Sequence, residues 1–286
     1  MPKLGEYRYI LDNVAFIYGS PEEAACGQKA GGTGFFVAVP STKLPESFHH
    51  IYIVTNYHVA RDQPRTLRIR ARQGSIDFIT ITKWFTVPGG PDVAVAPVTL
   101  NPERHVVEAL RSDSWLLTKS EAAEQEIDVG DDVFMVGRFI DHDGGQTNQP
   151  SARFGHISMT DAAIRQVTDC DRGSYVIDMH SRSGYSGSPV FVYRTAGSVF
   201  SKPNTLMGGG HLMKLLGIHW GQFPERWDLV SAEVQEAAEA GLITDGQYVS
   251  GLSGMTCVVP SWDILDVLNC PQLVEMRALV EDRCVS

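Results

Sequence analysis

The 286 residues carry 24 Lys and Arg against 34 Asp and Glu, a net charge of −10, and are 43% hydrophobic. That is ample apolar material for one or two domains of roughly 100–200 residues, and the absence of a basic tract argues against nucleic acid as a partner. No stretch reaches the ~18 consecutive apolar residues of a membrane span, which argues against a membrane partner, and the opening Met1-Pro2-Lys3-Leu4-Gly5-Glu6-Tyr7 lacks the apolar run of ~7–15 residues of a signal peptide.

In chain order, the first elements read as short strands. GFFVAV at 34–39 follows a Gly-rich turn, and IYIVT at 51–55 is β-branched and aromatic. LRIRAR at 67–72 and IDFITIT at 76–82 alternate, and 92–98 is another apolar run. Short strands separated by turn signals predict an antiparallel barrel or sandwich. Residues 101–127 change character, with a locally helical piece at 120–127, and read as a connection. A second strand series follows at 132–136, 154–159, 174–179, 189–193, 215–219 and 255–259. Two insertions interrupt it: a polar, Gly-rich stretch at 198–210, and residues 223–249, where 231–242 reads as a short helix with an N-cap-like serine. Helical spacing returns at Ile264, Leu265, Val267 and Leu268. Pro271 ends that helix, and a second piece spans 273–280. The expected division is a first barrel over 1–107, a connection over 108–128, a second barrel over 129–260 and a helical tail over 261–286.

Three segments carry chemistry. His58 ends the run Thr55-Asn56-Tyr57-His58, Asp92 opens Asp92-Val93-Ala94-Val95, and Ser186 lies in Gly184-Tyr185-Ser186-Gly187-Ser188-Pro189. A serine hydroxyl is a weak nucleophile; it needs a base, and the base needs a carboxylate to fix its tautomer. The order His, Asp, Ser on strand-like flanks therefore reads as base, orienting acid and nucleophile. Glycine at 184 permits a tight turn that aims the amides of Gly184 and Ser186 at a developing oxyanion. The Gly-x-Ser-x-Gly elbow of α/β-hydrolases does not fit, because Ser188 stands at the final glycine and the order of the three residues is wrong.

On these motifs the chain resembles trypsin-like serine peptidases with the chymotrypsin double-barrel fold, bacterial glutamyl endopeptidases and HtrA proteases in particular. The resemblance covers residues 31–260. Gly32-Thr33-Gly34-Phe35-Phe36-Val37 is similar to the family's first-barrel strand, and Val129-Gly130-Asp131-Asp132-Val133 to the strand opening the second barrel. Asp178, eight residues before Ser186, stands where HtrA-type chains carry an aspartate. Ser186-Gly187-Ser188-Pro189-Val190-Phe191 and Gly217-Ile218-His219-Trp220-Gly221 resemble glutamyl endopeptidases. The resemblance implies two six-stranded antiparallel barrels and hydrolysis of peptide bonds through an acyl-enzyme. It also implies a pocket lined by His180, Ser181 and Arg182 before the nucleophile, by His219, Trp220 and Gly221, and by the strand near Gly254. His219 resembles the histidine that binds a substrate carboxylate, with Arg182 as a second group, so an acidic residue before the cut is expected. Tyr185 replaces the aspartate that pairs with the new N-terminus in trypsin, which argues against trypsin-style activation. Val59 replaces the usual cysteine after the histidine.

Five scattered cysteines, an odd number without a C-x-x-C pair, predict a reduced, cytoplasmic protein. Metal-ligand spacing and nucleotide-binding glycine patterns are missing, so no metal and no cofactor is expected. A protein or peptide substrate is expected, along with a regulatory protein partner to restrain a protease in the cytoplasm. The competing reading is a catalytically silent protease fold that captures peptides by strand addition.

Overall fold

The apolar runs of this chain are strands whose two faces enter different cores. The computed structural model describes residues 5–27, 31–140, 144–145, 147–181, 183–194, 212–228 and 248–285. In β2 (Gly32–Pro40), Phe35 and Val37 face one core and Phe36 another. In β3 (His49–Thr55), Tyr52 and Val54 oppose Ile53 in the same way. Successive strand side chains point to opposite faces, so burial of both faces produces a continuous apolar run instead of an alternation.

These strands form a sheet with β1 (Val14–Tyr18), β4 (Arg65–Arg70), β5 (Ile76–Ile81) and β6 (Ala94–Pro97), in the order β5-β4-β1-β2-β3-β6. All neighbours along that path are antiparallel, and β7 (Leu110–Arg111) adds to β2 in parallel. The second unit is a closed antiparallel barrel in the order β10-β13-β12-β11-β8-β9. Its strands are β8 (Asp132–Gly137), β9 (Ser151–Ala163), β10 (Gly173–Asp178), β11 (Pro189–Arg194), β12 (Leu212–Asp228) and β13 (Tyr248–Pro260). The expected all-β double-barrel architecture is present, with the first unit an open half-barrel and the second closed.

The largest core lies between the two units. Phe35, Val54 and Val95 from the first meet Phe134, Val136 and Phe191 from the second, with Phe134 and Phe191 stacked at 5.0 Å. Each such side chain contributes roughly 1.5–3 kcal/mol when withdrawn from water. The C-terminal helices extend this core through Ile264, Val267, Leu268 and Leu273. Pro271 separates the two helices, Ser261–Leu268 and Pro271–Val285, as the sequence predicts. The second helix is tied to the first unit by Glu281, which accepts from Ser41 and Thr42 and contacts His50 at 2.9 Å.

Several elements differ from the sequence reading. β1, β7, the 3-10 turn Gly5–Asn13 and the helix α1 (Pro21–Cys26) are additional. The connection holds two short helices, α3 (Ser112–Trp115) and α4 (Lys119–Glu124), after α2 (Tyr57–Ala60) in the first unit. A capping box between Thr118 and Glu121 starts α4. β12 and β13 run well past their predicted ends, pairing as far as Asp228 with Tyr248, so the ends of the 223–249 insertion are a β-ribbon. The predicted helix 231–242 and the insertion 198–210 lie outside the described residues.

Candidate active site

The strand β3 ends at Thr55, and the single turn of α2 that follows projects His58 toward Asp92. The Asp92 carboxylate is fully buried and makes two contacts with this histidine. Its Oδ1 accepts the His58 amide at 2.9 Å, and its Oδ2 lies 2.6 Å from Nδ1. A carboxylate only accepts, so Nδ1 carries the proton and Nε2 is left as the basic atom. The Asp92 backbone is fixed as well. Its amide donates to Gln166 Oε1 at 2.7 Å, and its carbonyl accepts from Asn56 Nδ2 at 2.9 Å. Gln166 is itself buried and belongs to the loop between β9 and β10, so the second unit helps to seat an acid carried by the first.

Ser186 lies half-buried on a turn in which Ser188 N–H donates to the Tyr185 carbonyl at 2.9 Å. Two glycines are required there. Gly184 has φ +98° and Gly187 φ +87°, a region that side chains disfavour. A Cβ on Gly187 would stand 2.0 Å from the Thr33 carbonyl. Ser186 and His58 line one cleft together with Ser183 and Gly184. They share it without a direct hydrogen bond; such contacts are often loose before substrate binds and tighten with it. The amides of Gly184 and Ser186 donate to no group among the described residues, which leaves both available to an oxygen in the cleft.

Thr33 has no role in the sequence reading, yet it anchors this turn from the other unit. Its amide donates to the Ser186 carbonyl at 2.8 Å. Its hydroxyl donates to the Gly184 carbonyl at 2.8 Å and accepts from the Arg138 amide at 2.9 Å. Its carbonyl accepts from Thr55 Oγ1 at 2.7 Å. All of this is fully buried. Tyr185, at the place of the trypsin aspartate, is fully buried with its hydroxyl against Ser151 Oγ and the Arg153 guanidinium over its ring.

The expected pocket residues are placed unevenly. His219 is buried directly behind the nucleophile turn: its carbonyl accepts from Gly187 and its amide donates to the Ser188 carbonyl, both at 2.9 Å. Its Nε2 lies 2.8 Å from Thr256 Oγ1, while no well-formed hydrogen bond reaches Nδ1. Burial, with nearby His58 second, pushes its pKa down to about 4. Ser181 is buried with an unpartnered hydroxyl. His180 is exposed, with its ring against the open side of Gly254. Trp220 is half-buried and donates to Ser174 Oγ at 3.3 Å. Space beside Gly221 is open. Arg182 lies outside the described residues. Among the described residues, no three His, Cys, Asp or Glu side chains converge as a metal site would require.

A family model described as trypsin-like peptidase domain matches residues 32–200. Among solved structures, the chain is similar to the apo form of the MamO protease domain from Magnetospirillum magneticum. The two are 16% identical with a TM-score of 0.53, covering 92% of this chain and 100% of that one. It is also similar to Deg5, 18% identical with a TM-score of 0.45, over 77% of this chain and 87% of that one. No curated protein matches. At such identities the structural likeness speaks to the fold alone.

Proposed function

The chain belongs to the trypsin-like peptidase domain family, and on that premise we propose that it is a serine endopeptidase acting through His58, Asp92 and Ser186. The observation that carries the reading is the 2.6 Å contact between Asp92 and His58 Nδ1, in the cleft that also holds Ser186. His58 Nε2 takes the Ser186 proton as Oγ attacks the substrate carbonyl. The carbonyl oxygen then carries the negative charge, next to the unengaged amides of Gly184 and Ser186. Asp92 stabilises the imidazolium, which returns its proton to the leaving amine as the C–N bond breaks. Water repeats the sequence on the acyl-enzyme and releases Ser186.

The proposal extends to an acidic residue before the cut. Two buried polar atoms without partners, His219 Nδ1 and Ser181 Oγ, support it. Orphaned buried polar groups are costly, and a substrate carboxylate reaching either one would relieve that cost. With Nε2 donating to Thr256 Oγ1, whose hydroxyl donates on to the Gly221 carbonyl, Nδ1 would donate to that carboxylate as part of an imidazolium, the form that the arriving charge favours. A reducing, cytoplasmic location is also part of the proposal; five cysteines, none of them paired, support it. So is restraint by a protein partner, which a cytoplasmic protease would require.

The missing hydrogen bond between Ser186 and His58 favours the rival reading, a silent peptide-binding module. Treatment with a fluorescent fluorophosphonate separates the two. Labelling of the intact chain that vanishes in Ser186→Ala is the expected result, and an intact chain that stays unlabelled both alone and with candidate activators present would refute catalysis. An acidic-versus-neutral substrate series with His219→Ala then tests the pocket.

A further inference from the structure

The cleft that holds Ser186 and His58 opens into a cavity of about 470 Å³ whose outer wall includes Tyr18, Glu23, Arg61 and Arg65. Among the described residues, none of β12 or β13 borders it. His219, Trp220 and Gly221 are thus outside its wall. On the reading that Ser186 is acylated, which this inference rests on, the cavity faces the leaving half of the substrate.

Two guanidinium groups set the charge of this wall. Arg61 Nε donates to the His58 carbonyl at 2.8 Å, and Arg65 Nε donates to the Val59 carbonyl at 2.8 Å. Each is tethered by its stem-side nitrogen to the turn that carries the candidate base. The terminal nitrogens of both forks donate to no group among the described residues. Neither arginine has a carboxylate within 4.0 Å among those residues. The two also repel each other: the pKa of Arg65 is lowered by burial first and by Arg61 second, with Glu23 opposing. Like charges on one wall gain when an anion enters beside them.

The other charged groups offset this field only in part. Glu23 is the acid of the wall, and its Oε2 is committed to the Gly19 amide at 2.9 Å, beside the start of α1. Arg138 lies buried behind Tyr18, with its Cζ 4.3 Å from the ring centroid, and has partners of its own. His58 adds charge only when protonated. The wall thus sets two cations against one committed acid, on a chain whose net charge is −10. A planar fork with both terminal nitrogens open matches a carboxylate bidentately.

We infer that this cavity is a subsite for an acidic side chain one or two residues after the scissile bond, with Arg61 and Arg65 gripping its carboxylate. The test uses peptides carrying Asp, Glu, Ala or Lys at those two positions, with products identified by mass spectrometry. The full chain is compared with Arg61→Gln, Arg65→Gln and the double variant, each checked by thermal melting. Acidic peptides should be cut about fivefold to tenfold better in kcat/KM than alanine peptides. The advantage should shrink in high salt and disappear in the double variant. Arg61 is exposed, so its single substitution carries the test even where the double variant fails to fold. A labelled, active chain with no acidic advantage, or with one the arginine variants keep, overturns the subsite and leaves the protease reading intact. A chain that fluorophosphonate labels neither alone nor with candidate activators overturns the protease reading instead. The subsite is then judged by fluorescence anisotropy with dye-labelled acidic and alanine peptides. Tighter acidic binding, lost in the arginine variants, supports it, and equal binding overturns it.

Discussion

Replacing Thr33 by valine removes one hydroxyl and almost no volume, so its effect isolates the bonds that hydroxyl makes. Two buried backbone groups lose their partner: the Gly184 carbonyl, bonded at 2.8 Å, and the Arg138 amide, bonded at 2.9 Å. An orphaned buried group costs about 1–3 kcal/mol, so a site that stays rigid would lose about 2–6 kcal/mol of stability. A site that relaxes loses less stability and more catalysis. Gly184 sits at φ +98°, and the Thr33 bond fixes the carbonyl on its C-terminal side. Released, the glycine can rotate and carry its own amide away from the cleft. Complete loss of such a donor costs about 10²–10³ in kcat. A turn sampling both orientations should lose about tenfold to a hundredfold, with KM little changed because the hydroxyl does not border the cleft. Thr33→Ser keeps the hydroxyl and should restore kcat, which separates the bond from packing. The assays are peptide hydrolysis, the rate of fluorophosphonate labelling, and thermal melting. A Thr33→Val chain with unchanged kcat that melts within about 2 °C of the parent, under about 1 kcal/mol at this size, would show that the hydroxyl holds nothing.

Three further outcomes follow from the same contacts. Asp92→Asn should lower kcat about 10⁴-fold, since an amide in that place stabilises the wrong His58 tautomer; a loss below about tenfold in steady-state hydrolysis would contradict the assigned geometry. Thermal melts across pH should fall in two windows. His219 is depressed from 6.5 to about 4 by burial, so its stabilisation is full above pH 6.5 and lost as pH falls toward 4, up to roughly 3 kcal/mol. Burial alone would raise the pKa of Glu281, but hydrogen bonds from His50, Ser41 and Thr42 outweigh it and hold the group at about 2. Its contribution is full above 4.5 and lost as pH falls to 2. A melting temperature that stays flat from pH 6.5 to 4 would contradict the burial argument for His219. Glu281→Gln should cost about 1.5–3 kcal/mol at pH 7 and erase the lower window, as read by denaturant melts.

The segments that carry His58, Asp92 and Ser186 are legible in the sequence because each sits beside a short apolar run, β-branched or aromatic and bounded by turn residues, which decides for a strand over a buried helix. Other parts go unread. β1 is as apolar as β2 and is bounded by Asp12-Asn13 and Gly19-Ser20, so Val14–Tyr18 goes unread although the signal is there; its place between β2 and β4 emerges only from pairing. Tyr248 and Val249 look like the end of an insertion because what makes them a strand is Asp228 and Trp227 across the ladder. Thr33 reads as a spacer between two glycines, since its partner at Gly184 is 151 residues away.

That distance has a functional consequence. The first unit supplies His58 and Asp92, yet Gln166 of the second holds the Asp92 amide. The second unit supplies Ser186 and Gly184, yet Thr33 of the first holds both of their carbonyls. Each unit therefore finishes the geometry of the other, and neither half of the site is set until the shared core of Phe35, Val54, Phe134 and Phe191 has closed. Catalytic constellations tolerate only about 0.5 Å of misplacement. A substitution that loosens this core should thus depress turnover at temperatures where the barrels themselves remain folded, because the bonds that set the site cross that interface.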